Sequence, residues 1–223
     1  MAGPGAKNLI IAIDGPAGSG KSTVSKLVAK KLCLLYIDTG AMYRALTLKA
    51  MNKRVNLEDE KALTDLAKST KIELKYAGSL HVILDGEDVS GPIRTPEVTA
   101  NVKYIARTPG VRHEMVKLQR ALGENQGGVL EGRDIGTVVF PDADYKFYLD
   151  ASPQVRAKRR LKDLLAIGKK SIVEDVKKDI IARDESDMNR DVGALKIAPG
   201  AIVVDTTNLS IDQVVETLIS HIV

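Results

Sequence analysis

Gly15-Pro16-Ala17-Gly18-Ser19-Gly20-Lys21-Ser22 has the spacing G-x-x-x-x-G-K-[ST] of a phosphate-binding loop. Its glycines let the backbone close around an anion without Cβ clashes. The loop N–H groups and the N-terminus of a following helix then point at phosphate. Lys21 is expected to reach the β and γ oxygens of a nucleoside triphosphate, and the Ser22 hydroxyl to reach Mg²⁺. Gly15 to Thr23 is the expected ATP-binding segment. The flanks have the required form. Leu9 to Ile13 is a short continuous apolar run, as in a strand buried on both faces. After the loop, Val24, Leu27, Val28 and Leu32 recur at helical spacing.

Similar runs occur further along: Leu34 to Ile37 before Asp38, Val129-Leu130 before Glu131, Phe147 to Leu149 before Asp150, and Ile202 to Val204 before Asp205. With the first, five strands are expected, each ending in an acidic residue and separated from the next by helical stretches. That alternation predicts a doubly wound parallel sheet with ligands at the carboxyl ends of its strands. The acidic residues there are candidates to face Mg²⁺ or substrate, or else to cap helices and form turns. Asp14 or Asp150 is the candidate to hold Mg²⁺ through water. Thr95-Pro96, Thr108-Pro109 and Ser152-Pro153 read as helix starts. Ser171 with Glu174, and Ser210 with Gln213, fit capping boxes. Ile211, Val214, Val215, Leu218 and Ile222 mark one face of a last helix that packs on the sheet.

Residues 71–89 break the pattern. Ile72 to Tyr76 alternates, and Leu80 to Leu84 is β-rich before Asp85-Gly86. Such short strands with a turn signal predict an antiparallel ribbon inserted on the parallel core. From Arg156 to Arg183 the chain is highly charged and helical, with Gly168-Lys169-Lys170 as a mobile tip.

The 223 residues suit one α/β domain with an insert and lid. Apolar residues make up 44% and support a sizeable core. No run reaches the roughly 18–20 apolar residues of a membrane span, and Met1 to Lys7 lacks a signal-peptide core. Cys33 is the single cysteine, which excludes an intrachain disulfide and suits a reducing cytoplasm. The net charge of +4 favours a polyanionic partner, either nucleotide phosphate or nucleic acid. With no Trp and two Phe the chain is poorly supplied with stacking platforms for single strands, and it has no helix-turn-helix, zinc-finger or RNP pattern.

The acceptor is narrowed by what accompanies the loop. No base-reading Asn-Lys-x-Asp of a GTPase is present, nor a transporter ATPase signature. A small kinase fits the length, the insert and the arginine load. Phosphoryl transfer needs charge neutralisation more than covalent help, so arginines on both the acceptor and the transferred group are expected. Arg44 and Arg133 each follow a predicted strand end, on the ligand edge.

Ile13 to Ser22, Asp38-Thr39-Gly40-Ala41-Met42-Tyr43-Arg44 and Glu131-Gly132-Arg133-Asp134-Ile135-Gly136-Thr137-Val138-Val139-Phe140-Pro141-Asp142-Ala143 together resemble bacterial cytidylate kinases. Gly86 to Ser90 with Ile93-Arg94-Thr95, and Arg183-Asp184 with Asp187, Asn189 and Arg190, are similar too. The resemblance runs from about Ile10 to the C-terminus. It implies that Thr39 contacts the monophosphate nucleotide, that Arg44, Arg133 and Arg190 hold its phosphate, and that Arg183 and Asp187 contact its sugar. Arg112 and Asp134 match residues that read the cytosine edge, and Arg156, Arg159 and Arg160 match a mobile lid over the triphosphate. The family often carries Ser where Lys103 stands and uses it on the base. Lysine brings no acceptor there; it is either a donor to a uracil carbonyl or a solvated helix residue.

The expected fold is a three-layer α/β P-loop kinase with a parallel five-stranded core sheet, a monophosphate-binding insert at 71–95 and a helical lid at 153–183. The expected reaction moves the γ-phosphoryl of ATP to CMP or dCMP with Mg²⁺, in a cytoplasmic monomer without nucleic-acid or membrane partners. Lys21, Arg133, Arg156 and Arg160 are the expected catalytic set, with Arg159 on ATP. A shikimate-type kinase or a nucleic-acid-binding regulator are the alternatives; neither accounts for the cytosine-reading and sugar-reading pairs.

Overall fold

The continuous apolar runs become strands because a parallel sheet covered on both faces buries every side chain. In this computed structural model, which describes residues 9–77, 79–166 and 168–222, the strands are β1 (Ile10–Asp14), β2 (Tyr36–Asp38), β3 (Ile72–Ala77), β4 (Ser79–Leu84), β5 (Glu87–Asp88), β6 (Gly128–Gly132), β7 (Tyr145–Asp150) and β8 (Ile202–Asp205). The helices are α1 (Lys21–Lys31), α2 (Thr39–Asn52), α3 (Glu60–Lys68), α4 (Pro96–Arg107), α5 (Pro109–Gln126), α6 (Pro153–Ala166), α7 (Val173–Met188) and α8 (Ile211–Ile222). The opening stretch Met1 to Lys7 lies outside the described residues.

Five strands form a parallel sheet in the order β2-β6-β1-β7-β8. Alternation along β1 splits the core in two. Ile11 and Ile13 pack with Val24 and Val28 of α1 and Val214, Val215 and Leu218 of α8. Ile10 and Ala12 face the other way, toward Met42 and Leu46 of α2 and Met115 of α5. This is the expected three-layer α/β kinase fold. Ile211, assigned to the buried face of the last helix, is instead 51% exposed. It opens the first turn of α8. The second strand begins two residues late, at Tyr36, because Cys33 turns the chain with φ 53°.

Most helix starts follow the sequence signals. Thr95 and Ser152 accept from the amides of Val98 and Val155, both at 3.4 Å. Ser210 and Gln213 exchange reciprocal bonds of 2.8 and 3.2 Å, forming a capping box. Thr108 stands at its N-cap but its hydroxyl donates back to Tyr104 O at 2.9 Å. The Ser171–Glu174 box is absent: α7 starts at Val173 with Ile172 at the N-cap and no side-chain cap.

Strands β3, β4 and β5 form a separate antiparallel sheet. Lys49 of α2 clamps its Asp85 turn at 2.6 Å. Helices α6 and α7 pair through a small apolar cluster of their own, built on Ala157, Val176 and Ile180. Gly168 lies between them with φ +76°.

Candidate active site

The loop after β1 folds as its glycines require. A Cβ on Gly15 would lie 2.1 Å from Leu149 O of the neighbouring strand, so no other residue fits there. Gly20, with φ 95°, leads directly into α1. Lys21 is buried, and its Nζ donates to Pro16 O at 2.7 Å and to Ser19 Oγ at 3.4 Å. Burial, and then the nearby Arg133 charge, lower its ammonium pKa well below the ordinary value, while Glu131 and Asp14 oppose that.

The strand-end acids divide by task. Asp38 caps α2 through Ala41 N at 2.8 Å, Asp150 accepts from Ala151 N at 2.8 Å, and Asp205 from Thr207 N at 2.8 Å. Asp14 accepts from Ile135 N at 2.9 Å and Gly136 N at 2.8 Å. Four of the five therefore satisfy backbone amides. Glu131 differs. It accepts from Ser22 Oγ at 2.8 Å and from the Tyr36 hydroxyl, and its backbone oxygen accepts from Thr39 Oγ1 at 2.7 Å. Neither Asp14 nor Asp150, the acids expected to hold Mg²⁺ through water, bonds Ser22. Both Asp14 oxygens are turned to a backbone turn and Asp150 lies exposed against its own backbone; the acid beside Ser22 is Glu131. Burial, and then Asp38, raise the Glu131 carboxyl. Its position at a strand end was visible in sequence, whereas its hold on Ser22 depends on β6 lying next to β1 in the sheet.

The arginines gather on the same edge. Asp187 of α7 accepts from Arg133 Nε at 2.8 Å and also from Arg190 Nη2. Arg183 is exposed yet crowded by other guanidiniums. Lost hydration, then Arg133, with Arg44 and Arg160 contributing, pull its guanidinium down to about 10. Arg44 donates to Asp38 at 3.3 Å, while its Nε is buried and has no partner among the described residues.

Arg112 of α5 is fully enclosed and pairs with Asp134, donating also to Ala106 O at 3.1 Å. Its guanidinium carbon stands 5.5 Å from the Tyr43 ring centre. Gly193 (φ +68°) lies against this pair, and a Cβ there would meet Arg112 Nη2 at 2.0 Å. Gly193 carries no motif, and only the folded return of the chain after α7 shows its task. Lys103 is exposed on α4, with its ammonium 5.1 Å from the Tyr104 ring centre.

Arg156 and Arg159 bond back onto the loop and its neighbours. Arg156 is buried, donating to Ala151 O at 2.9 Å, to Ala17 O at 3.0 Å and to Asp184, whose other oxygen accepts from Ala17 N at 3.2 Å. Arg159 braces Thr206 O at 2.6 Å. In this arrangement Arg156 and Arg159 serve as struts that tie α6 to the loop and to Thr206. Arg160, half-buried, stays on the arginine cluster's side.

A phosphate loop at a strand end, a buried lysine and an opposed arginine cluster define the class: a P-loop kinase. A family model described as cytidylate kinase matches residues 11–223. A cytidylate kinase of Geobacillus sp. (strain WCH70) is 54% identical over 213 residues, covering 95% of each chain. One from Desulforamulus reducens is 52% identical over 212 residues, covering 95% of this chain and 96% of that one. The chain belongs to the cytidylate kinase family and is a phosphotransferase. A solved structure of an uncharacterized protein from Eubacterium ventriosum ATCC 27560 shares the fold, with a TM-score of 0.52 at 12% identity, covering 96% of this chain and 98% of that one. The shikimate-type and nucleic-acid alternatives are not favoured.

Proposed function

We propose that this enzyme transfers the γ-phosphoryl of ATP to CMP or dCMP. The observation that carries the reading is the crowding of Arg183 by Arg133, Arg44 and Arg160, beside the Asp187 carboxylate that Arg133 and Arg190 share. Positive charge gathers there, within electrostatic reach of Lys21 of the phosphate loop, and a nucleotide monophosphate would supply an anion. Arg44, Arg133 and Arg190 would hold that phosphate, Arg183 and Asp187 the sugar, and Thr39 the nucleotide beside them. Asp134 would accept from the cytosine amino group while Arg112 donates to the base. Gly15 to Thr23 would wrap the triphosphate, with Lys21 and Arg133 stabilising the transferring group.

The residues fit Mg²⁺. A serine hydroxyl backed by a buried carboxylate, with Asp38 near that carboxylate, is a hard-oxygen environment suited to that ion. Ser22 would hold it, and the ion would neutralise charge between the β and γ phosphates. The 71–95 insert, clamped to the Arg44-bearing helix by Lys49, would move with the acceptor. The α6–α7 hairpin would act as the lid, struts at its base and Arg160 near the arginine cluster. In that case amide exchange around Gly168 slows when both nucleotides are bound; unchanged exchange there removes the lid assignment. No described helix is long and apolar enough to cross a membrane, and a cytoplasmic monomer remains our reading.

The deciding experiment is a coupled assay over CMP, dCMP, UMP, AMP and shikimate. Uracil would set its carbonyl against the Asp134 carboxylate, and two facing acceptors repel. CMP is therefore expected to lead UMP in kcat/KM by about ten- to a hundredfold, with the margin narrowing in Asp134→Asn. With its ammonium over Tyr104, Lys103→Ser is expected to leave the ratio unchanged. UMP as the better substrate of the unmodified enzyme would refute cytosine reading by Asp134.

A further inference from the structure

We propose that Asp14 is a positioning residue for the acceptor: from the end of the donor-side strand, its carboxylate holds the turn that aims Asp134 at the base. The proposal rests on the reading of Asp134 as a base contact.

Asp134 stands at the N-cap of a short π-helical turn, Ile135–Val139. The first amides of any helical turn lack partners within it, and an aspartate at the N-cap ordinarily accepts from them. Asp134 does not, because its carboxylate is committed to Arg112. Asp14 takes over that task from a distant part of the chain, one oxygen on Ile135 N and the other on Gly136 N. Without it, the backbone following Asp134 would leave two donors unsatisfied in the interior, or Asp134 would swing back to cap its own turn and abandon Arg112. Either change removes the aimed carboxylate.

The arrangement is costly by itself, which argues that it is specific. Asp14 is buried, and burial pushes its carboxyl up to about 6 against the opposing effect of the two amides, with Asp134 raising it further and Lys21 lowering it. A neutral amide would avoid that cost but could not set a separate accepting oxygen on each amide N–H. Asn offers one acceptor and would turn its NH₂ against the second amide. Asp14 is also the residue immediately before Gly15, so the phosphate loop and the base-reading turn are joined through one residue.

The test compares Asp14→Asn, Asp134→Asn and the double variant, with calorimetric binding of CMP and of ATP measured separately, and CMP over UMP in kcat/KM. Asp14→Asn is expected to weaken CMP binding about tenfold, to change ATP binding by less than about threefold, and to narrow the CMP over UMP ratio. The double variant should be no less selective than Asp134→Asn alone, since both act through one carboxylate. Gly136→Ala disturbs the same turn without altering charge, because the added methyl would crowd Ala198 Cβ at 3.0 Å while meeting Asp14 Oδ2 only at an ordinary 3.5 Å. It should reproduce the CMP-selective loss even where Asp14→Asn folds poorly. Equal losses for ATP and CMP, in either variant, would make Asp14 a support of the phosphate loop and overturn the proposal. So would a selectivity lost in Asp134→Asn but intact in Asp14→Asn and Gly136→Ala. Selectivity intact in Asp134→Asn would refute the base-contact reading itself, a result visible in that variant alone.

Discussion

Lys21→Ala is expected to lower turnover by about 10²-fold or more in a protein that still folds. The ammonium lies in the hollow of the loop, held by Pro16 O and Ser19 Oγ. Those bonds keep it where a triphosphate would arrive, so little reorganisation is needed when charge develops on the transferring group. Burial and Arg133 disfavour its charge, and a phosphate restores it, so the lysine gains most when substrate and transition-state charge are both present. Alanine removes that interaction and leaves Glu131 without its nearest cation. A moderate fall in melting temperature should accompany the kinetic loss. Single-turnover kinetics on the folded variant provides the check, and near-normal turnover would show that the loop does not act on the β and γ phosphates.

Asp187→Ala should cost about 3 kcal/mol of stability, toward the lower end for a broken buried ion pair because its guanidinium partners keep some hydration. One carboxylate, almost wholly buried, serves Arg133 and Arg190 together. Removing it leaves these two and Arg183 facing one another. For a chain of this length the melting point should drop by roughly 6–12 °C, and CMP or inorganic phosphate should restore part of it by supplying an anion to the same guanidiniums. Burial raises the Asp187 carboxyl, but Arg133, Arg190 and Arg183 outweigh it and hold the group below the ordinary carboxylate value. Its contribution is therefore complete above that ordinary value and disappears as pH falls through the lowered one. Melting curves of the two proteins should converge in strong acid. Equal melting points at neutral pH would show that the arginines are already separated by solvent.

Where the sequence carried a local physical signal, the structure could be anticipated. Gly15 to Ser22 reports its own conformation because glycines and a lysine are spaced by the needs of one backbone loop. Ser210–Gln213 reports its helix start for the same reason. Signals that depend on competition between distant residues were less legible. Ser171–Glu174 has the letters of a cap, but the helix begins two residues later, at Val173. Arg156 and Arg160 look alike in sequence, yet burial beside Asp184 and Ala17 O makes the first a strut. Asp14 and Glu131 both end strands; sheet order and the turn after Asp134 decide that one caps backbone and the other holds Ser22. Gly193 is legible only once Arg112 and Asp134 have been brought beneath it.

The α6–α7 hairpin has its own apolar cluster, distinct from the two that cover the sheet. The bonds joining it to the phosphate loop, through Arg156, Asp184 and Arg159, are polar. Swinging such a unit exchanges ionic and amide contacts for water while its own hydrocarbon stays covered. Heat capacity tracks newly wetted apolar surface, so the rearrangement should carry almost no heat-capacity change, and its equilibrium constant should vary with temperature along a nearly straight van 't Hoff line. Added salt, which weakens exposed charge contacts, should shift that line, whereas urea at low concentration should barely do so.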